Sequence, residues 1–357
     1  MSGRLLRLVC TAALAAATVL APLPVAAVPM PPDPDGMSVA RRLTDLQQLY
    51  RQAEKATETY NATEEKLKKQ RAEVARLDTE LARARLSLHD SRGAAGRLAR
   101  QQYQNSTDIS PYVRLLLARN PQQALDEGHV IGQVARERAE TIGRLTGNEK
   151  KAADLARRAR KALDDRLTLA QRQKKDRDDV RGRLEDVEEL LASLTPKQLA
   201  TMAELEKSDV DKAQKRLITS GALGEDNRPP SRAGDRALRY AVQQLGKPYE
   251  WGAEGPKSYD CSGLTSQAWD HAGTPIPRTS EEQWAHLPRI PLKKLRPGDL
   301  VLYFPEATHV AMYLGEGMVL QAPRTGETIK VSPIATYPIL GAVRPDGGPQ
   351  APATDAR

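Results

Sequence analysis

Tyr259-Asp260-Cys261-Ser262-Gly263-Leu264-Thr265-Ser266-Gln267-Ala268-Trp269 is the stretch on which the reading of this chain turns. The residues after Cys261 have helical spacing, with Leu264, Ala268 and Trp269 facing inward, so Cys261 begins a helix. A thiol at a helix N-terminus lies in positive potential, which lowers its pKa and favours the thiolate. Upstream, Ala237, Leu238, Ala241, Val242 and Leu245 fit a short amphipathic helix, ended by Gly246 with Pro248 beyond. Downstream, Pro297-Gly298-Asp299 introduces Leu300-Val301-Leu302-Tyr303-Phe304, a buried-strand pattern. His309 to Leu314, the turn Gly315-Glu316-Gly317, and Met318 to Ala322 read as a hairpin. These patterns predict helices, a buried strand and a hairpin within one compact domain over residues 235–345.

A nucleophilic cysteine needs a base. If Leu314 pairs with Met318, Ala311 faces Gln321, and His309 and Gln321 become diagonal neighbours on one face. Three parts of a triad then converge: Cys261 as nucleophile, His309 as base, and Gln321 orienting the second imidazole nitrogen. The residues alone leave a plainer reading open, in which Cys261 is buried and inert and Gln321 is a polar strand residue. Zinc is excluded by the lack of paired-ligand spacing among Cys261, His271, His286 and His309. No cofactor is expected, and His271 and His286 fall on solvated helical surfaces.

The chain's start bears on the thiol. Arg4 and Arg7 precede an apolar run from Leu8 to Leu20, and Val25-Ala26-Ala27 suits a cleavage site, so residues 1–27 read as a secretory signal peptide. Pro22 and Pro24 interrupt the run, which is short for the ~20 apolar residues of a membrane span. Cys10 would leave with the leader. Cys261 is then the only cysteine, and no intramolecular disulfide can form in a compartment where disulfides persist.

The front of the chain is built differently. From Val39 an apolar or small residue recurs every seventh position through Leu46, Ala53, Tyr60, Leu67, Val74, Leu81 and Leu88. Arg42, Leu49, Ala56, Thr63, Gln70, Leu77 and Ala84 complete the 3–4 spacing of a coiled-coil seam, loosened by its polar members. After a break at Asn105 to Asp108, Pro111 and Pro121 mark helix starts. A second series then runs Ala135, Ile142, Ala156, Leu163, Ala170, Leu184, Leu191, with Leu145, Ala152, Ala159, Val180 and Val187 beside it. Two such arms imply an antiparallel hairpin over residues 37–220, each arm about 75 Å or more at ~1.5 Å per residue. Residues 221–234, with Asn227-Arg228-Pro229-Pro230-Ser231, read as a linker, and residues 346–357 as a disordered tail.

Composition agrees with this division. Among 357 residues the three Trp, the single Phe and six of ten Tyr lie from residue 240 onward, which places the compact core there. Net charge is +8, or +6 without Arg4 and Arg7, but basic residues are interleaved with acids rather than clustered with aromatics. That reads as a solvated basic surface suited to anionic surroundings, and not as a nucleic-acid interface.

A wider set of motifs carries a resemblance. Gly246-Lys247-Pro248-Tyr249 with Trp251-Gly252, Asp260-Cys261-Ser262-Gly263-Leu264, Pro277-Arg278-Thr279-Ser280, Arg296-Pro297-Gly298-Asp299-Leu300, His309-Val310-Ala311-Met312-Tyr313 and Ala322-Pro323-Arg324-Thr325-Gly326 follow one another in an order that resembles the NlpC-type cell-wall peptidases of bacterial envelopes. The resemblance covers about 110 residues. It implies a circularly permuted papain-like α+β domain, a helical layer with the nucleophile helix on an antiparallel sheet that carries the base, which hydrolyses peptidoglycan stem peptides, typically between D-γ-glutamate and a diamino acid. It also implies Cys261 as nucleophile, His309 as base and Gln321 as third member, a slot often filled by His. Tyr249 matches the family's tyrosine near the oxyanion, and Asp260, Ser262 and Arg278 match substrate-pocket positions. The hairpin followed by this domain resembles wall hydrolases of Gram-positive and actinobacterial cells, some of which are occluded by the rod until an ABC-type membrane division complex engages it. The expectation is therefore a secreted, envelope-acting cysteine endopeptidase with a regulatory or targeting hairpin. The alternative is a catalytically idle scaffold or activator of another hydrolase.

Overall fold

The computed structural model describes residues 39–104, 111–118, 120–224 and 228–347. The leader, the break at 105–108 and all but the start of the tail lie outside the described residues.

Helix α1 (Val39–Gln104) and helix α3 (Pro121–Ala192) run antiparallel, with the short α2 (Pro111–Leu116) at their outer end. Cross-links fix the direction: Gln52 meets Arg183, Thr63 meets Asp176, and Gln70 donates to the Ala162 carbonyl. The inner seam buries Val74, Leu77, Leu81 and Ala84 against Ala152, Leu155, Ala159 and Ala162. The second series is displaced from its expected register. Ile142 and Leu163 are exposed, whereas Leu155 and Ala162, one residue before Ala156 and Leu163, enter the seam. A straight helix drifts relative to a strict seven-residue repeat, and here the 3–4 set 152, 155, 159, 162 meets α1. Among the described residues no helix is long and apolar enough to cross a membrane.

The hairpin does not extend to residue 220. α3 ends at Ala192, Ser193-Leu194 break the helix, and Thr195 starts α4 (Pro196–Thr219) with a capping box to Gln198. The first half of α4 packs Met202 and Leu205 against Leu43, Leu46, Val187 and Leu194 at the hairpin base. Its second half belongs to the C-terminal domain. Gln214 Nε2 donates to the Gly317 carbonyl at 2.9 Å, its Oε1 accepts the Ala335 N–H at 3.1 Å, and Leu217 joins the core there. The expected linker is likewise held on its described part, with Leu223 packed in the same core and Arg228 donating to the Lys293 carbonyl at 2.6 Å.

The C-terminal domain has helices α5 (Arg232–Val242), α6 (Cys261–His271) and α7 (Ser280–His286). Six strands follow: β1 (Arg289–Ile290), β2 (Leu300–Tyr303), β3 (His309–Gly315), β4 (Met318–Gln321), β5 (Lys330–Pro333) and β6 (Ile339–Val343). They form one sheet in the order β1-β6-β2-β3-β4-β5, every pair antiparallel. Alternation sorts the side chains. Leu300, Leu302, Val310, Met312 and Leu320 pack under Ala237, Ala241, Leu264, Ala268 and Trp269 of the helical layer. Val301, Tyr303, Ala311, Tyr313 and Val319 face the other way and are covered by Leu217, Leu223, Ile334 and Ile339. The sheet is therefore buried on both faces, and α4 supplies part of the second cover. Asp346, assigned to the tail from sequence, is held by Arg296 at 2.6 Å, so the ordered chain runs slightly past residue 345.

Removing the Gln214 amide leaves the Ala335 N–H and Gly317 carbonyl without their partner in a partly buried contact. Gln214→Ala is expected to destabilise the full chain by about 1–3 kcal/mol. Thermal unfolding checks this, and an unchanged Tm would show that α4 is not fastened at that point.

Candidate active site

The site is built from one helix start, one strand start and one strand end. Asp260 caps α6, its Oδ1 accepting the Gly263 N–H at 2.6 Å, and so places Cys261 on the first turn. The same carboxylate accepts the Gly252 N–H at 3.0 Å and pairs with Arg278, whose Nη2 lies 2.7 Å away. Arg278 also donates to Ser262 Oγ at 2.8 Å and to Glu254 at 2.9 Å. Gly263 is required where it stands, because a Cβ would lie 2.3 Å from the Ala253 carbonyl oxygen.

Across the cleft, Met312 pairs with Leu320 and Tyr313 with Val319, the register that brings His309 and Gln321 to one face. A bulge beyond Tyr313 sets Gly315, rather than Leu314, opposite Met318. His309 Nε2–H donates to Gln321 Oε1 at 2.7 Å, leaving Nδ1 to face the cleft. The two halves meet at the Val310 N–H, which bonds the Cys261 thiol. Tyr249 is buried beside this thiol, and burial, reinforced by the neighbouring Cys261, Asp260, Glu54 and Glu58, pushes its phenol far above the ordinary value. It thus remains a neutral donor. Of the residues singled out from sequence, Cys261, Asp260, Ser262, Arg278, Tyr249, His309 and Gln321 all meet in this one place.

The cleft is filled by the protein's own hairpin. Glu58 of α1 accepts the Ser262 hydroxyl at 2.7 Å on Oε1 and the Ser280 N–H at 2.7 Å on Oε2, and the Cys261 thiol lies 3.9 Å from Oε1. Glu54, one turn earlier, places Oε1 3.4 Å from His309 Nδ1. Asn61 donates to Asp260 Oδ2 at 3.0 Å, and Tyr60 sits edge-on to Trp251 with centroids 5.1 Å apart. Glu54, Glu58 and Asn61 are all buried.

This contact reverses the expected ionisation of the thiol. Burial first, then the charges of Glu58, Asp260 and Glu54, hold Cys261 well above the usual thiol value, and the Val310 N–H offsets only part of this. The helix start favours thiolate, but three carboxylates and the loss of water outweigh it. Glu58 is itself raised, by burial and then by Asp260, against the lowering effects of Arg278, Ser262 and Ser280. Glu281, next to it, is pushed up to about 9 by burial and then by Glu58, since two carboxyls in contact cannot both ionise. Burial would lower His309, but Glu54 and Gln321 outweigh it and keep the ring charged above its ordinary range.

Glu54, Glu58 and Asn61 lie off the heptad positions of α1 and carry no local motif, so the sequence pattern does not single them out. Glu54, Thr57, Glu58 and Asn61 recur at 3–4 spacing beside that seam, all buried. A second polar stripe alongside a small-residue seam is the signal that an enclosing partner exists.

Residues 246–340 match the NlpC/P60 family, so the chain carries an NlpC/P60 domain. A probable endopeptidase of Corynebacterium glutamicum is 36% identical over 128 residues, covering 36% of this chain and 61% of the relative. The peptidoglycan endopeptidase RipA of Mycolicibacterium smegmatis is 37% identical over 137 residues, covering 33% of this chain and 26% of RipA. The chain thus spans about three fifths or less of the length of these relatives. Among solved structures, the P60 domain of an M. avium subspecies paratuberculosis antigen is 32% identical, covering 31% of this chain and 92% of that one, with a TM-score of 0.30.

Docking of α1 should depend on pH with a definite sign. Glu58 is raised from 4.5 and His309 from 6.5 in the docked state. A group raised on docking stabilises the docked form fully below its free value and loses that contribution as pH rises through its docked value. Glu281 and Cys261, which face Glu58, act in the same direction, while Arg278 and Asp260 stay paired. Protection of Cys261 against a neutral alkylating reagent, measured relative to the same thiol in a Glu58→Ala chain, should therefore weaken from pH 5 to pH 8.5. Glu58→Gln, neutral throughout, should flatten the dependence. Protection that grows with pH would contradict the assignment.

Proposed function

We propose that the chain is an exported cysteine endopeptidase that hydrolyses peptidoglycan stem peptides at the D-γ-glutamyl–diamino acid bond, serves wall remodelling or cell separation, and is kept latent by its own hairpin. The observation that carries this reading is the meeting of Cys261, at the start of α6, with the hydrogen-bonded His309–Gln321 pair inside the residues that match NlpC/P60.

The chemistry follows from these atoms. With α1 withdrawn, the Cys261 proton passes to His309 Nδ1 and the thiolate adds to the scissile carbonyl, with Tyr249 as donor to the oxyanion. Collapse breaks the C–N bond, and the proton on His309 goes to the leaving amine. A water, deprotonated by His309, then adds to the thioester; the C–S bond breaks, the acyl fragment leaves as a carboxylic acid, and the proton on His309 returns to the Cys261 thiolate. Gln321 holds the ring in its tautomer but adds no negative charge, so its share is orientation.

Latency rests on Glu58 and Glu54, which occupy the positions nearest the thiol and Nδ1. Burying two carboxylates costs several kcal/mol each before their partners compensate, so this is a lock that a modest binding energy elsewhere can open. The outer end of the hairpin exposes Tyr103, Leu116, Leu117 and Leu125, a surface suited to the membrane complex expected from sequence as activator.

Muropeptides incubated with the purified chain and analysed by mass spectrometry test the reading. Glu58→Ala is expected to raise turnover at least about tenfold over the wild-type chain. In that background Cys261→Ala and His309→Ala should each abolish it, their effects not adding, while Gln321→Ala should cost less. A Glu58→Ala chain that releases no product from any muropeptide would favour the scaffold instead.

A further inference from the structure

Beside His309 the cleft opens into a cavity of about 680 Å³. Three parts of the chain wall it. Tyr50 and Glu54 come from α1, Phe304 and Tyr337 from the C-terminal domain, and Asp209 and Arg216 from α4. Its position along the cleft is fixed at both ends of His309: Glu54 lies 3.4 Å from Nδ1, and the Tyr337 ring stands edge-on to the imidazole with centroids 5.0 Å apart. Phe304 is held at φ 62, a strained conformation for a residue with a side chain, by bonds from its own N–H to the Pro338 carbonyl and from Ala307 to its carbonyl.

The reaction gives this cavity a role. The proton that His309 takes from the thiol is returned to the leaving amine, so the part of the substrate beyond the scissile bond lies on the histidine side. The acyl part lies on the other side, towards Ser262, Ser280 and Arg278, where Glu58 now sits. When α1 withdraws, Tyr50 and Glu54 go with it. The α4 wall does not share that fate. Gln214 is bonded to Gly317 and Ala335, Glu206 grips Arg324 through two contacts of 3.1 Å, and Leu217 is packed in the sheet core. The non-helical Ser193-Leu194 lies between α3 and α4 and supplies a place for the hairpin to part from it.

On that retained wall, Asp209 and Arg216 are two turns apart on one helical face, about 10 Å along the axis. Both are exposed, and Asp209's ion pair is a 3.5 Å contact with exposed Lys212 on its own helix. Between them Val210 and Ala213 offer an apolar floor, with Tyr337 and Phe304 opposite. An acid and a base separated by an apolar stretch match a ligand with an amine and a carboxylate at the ends of a short methylene chain.

We propose that α4 forms the leaving-side subsite of the enzyme, and that Asp209 and Arg216 select a leaving residue bearing both an amine and a carboxylate, the chemistry of a diamino acid. This rests on the endopeptidase reading above, and it takes α4 out of the removable hairpin and makes it part of the substrate site.

The test uses the full chain with Glu58→Ala, alone and combined with Asp209→Asn or Arg216→Gln. Two substrates share the L-alanyl-γ-D-glutamyl group, one leaving diaminopimelate and the other a neutral aniline. The ratio of kcat/KM for the peptide to that for the anilide should fall about fivefold in each variant, through KM, the size expected for one exposed charge contact. An unaltered ratio overturns the proposal. If the parent cleaves neither substrate the endopeptidase reading itself fails, and a separate measurement still decides the subsite. Calorimetric titration of free diaminopimelate into the Cys261→Ala, Glu58→Ala chain should give saturable binding that Asp209→Asn weakens. Absence of such binding, or binding indifferent to Asp209→Asn, overturns the α4 assignment.

Discussion

The buried pair of Arg278 and Asp260 is the interaction from which the rest of the site hangs. Asp260 is fully buried and Arg278 nearly so, and each spends its remaining hydrogen-bonding capacity on a positioning contact. Asp260 caps α6, ties down the Gly252 backbone and receives Asn61 from α1. Arg278 reaches Ser262 and Glu254. A buried ion pair is costly to form but more costly to break, since removing one member strands the other, at about 3–5 kcal/mol. Here that asymmetry fixes where the first turn of α6 begins, and with it where the thiol points.

The two helices that reach the domain from the front of the chain are attached by opposite physics. α1 enters the cleft with carboxylates and an amide, groups that prefer water and whose docking depends on ionisation. α4 is attached by backbone carbonyl and N–H partners, a two-point arginine pair and apolar burial against the sheet. The first kind of contact is readily exchanged for solvent or for another polar ligand. The second is lost only together with the core it completes.

Much of this was legible in the amino-acid order. Helical spacing after Cys261 and the hairpin register through Met312 and Leu320 are local patterns, and they brought His309 and Gln321 together without any knowledge of the sheet order. The coiled-coil arms were legible for the same reason. Three things were not. The ending of α3 at Ala192 depends on a break whose flanks are both strongly helical, so periodicity runs through it. The state of the Cys261 thiol depends on Glu54 and Glu58, about two hundred residues away, and no local rule joins them. The attachment of α4 depends on which of its faces meets the C-terminal domain, which is decided by partners in the β3–β4 turn, after β4 and after β5.

The closed cleft also bears on the survival of the Cys261 thiol. A thiol reacts with peroxides and disulfides as its thiolate and only where reagents can reach it. In this structure Cys261 is 2% exposed, covered by α1 and held protonated. The docked α1 therefore keeps the single described sulfhydryl in the form least open to oxidation, and withdrawing α1 would open it to oxidants and to any substrate together. Under the function proposed above, the hairpin would set the shelf life of the thiol as well as its timing.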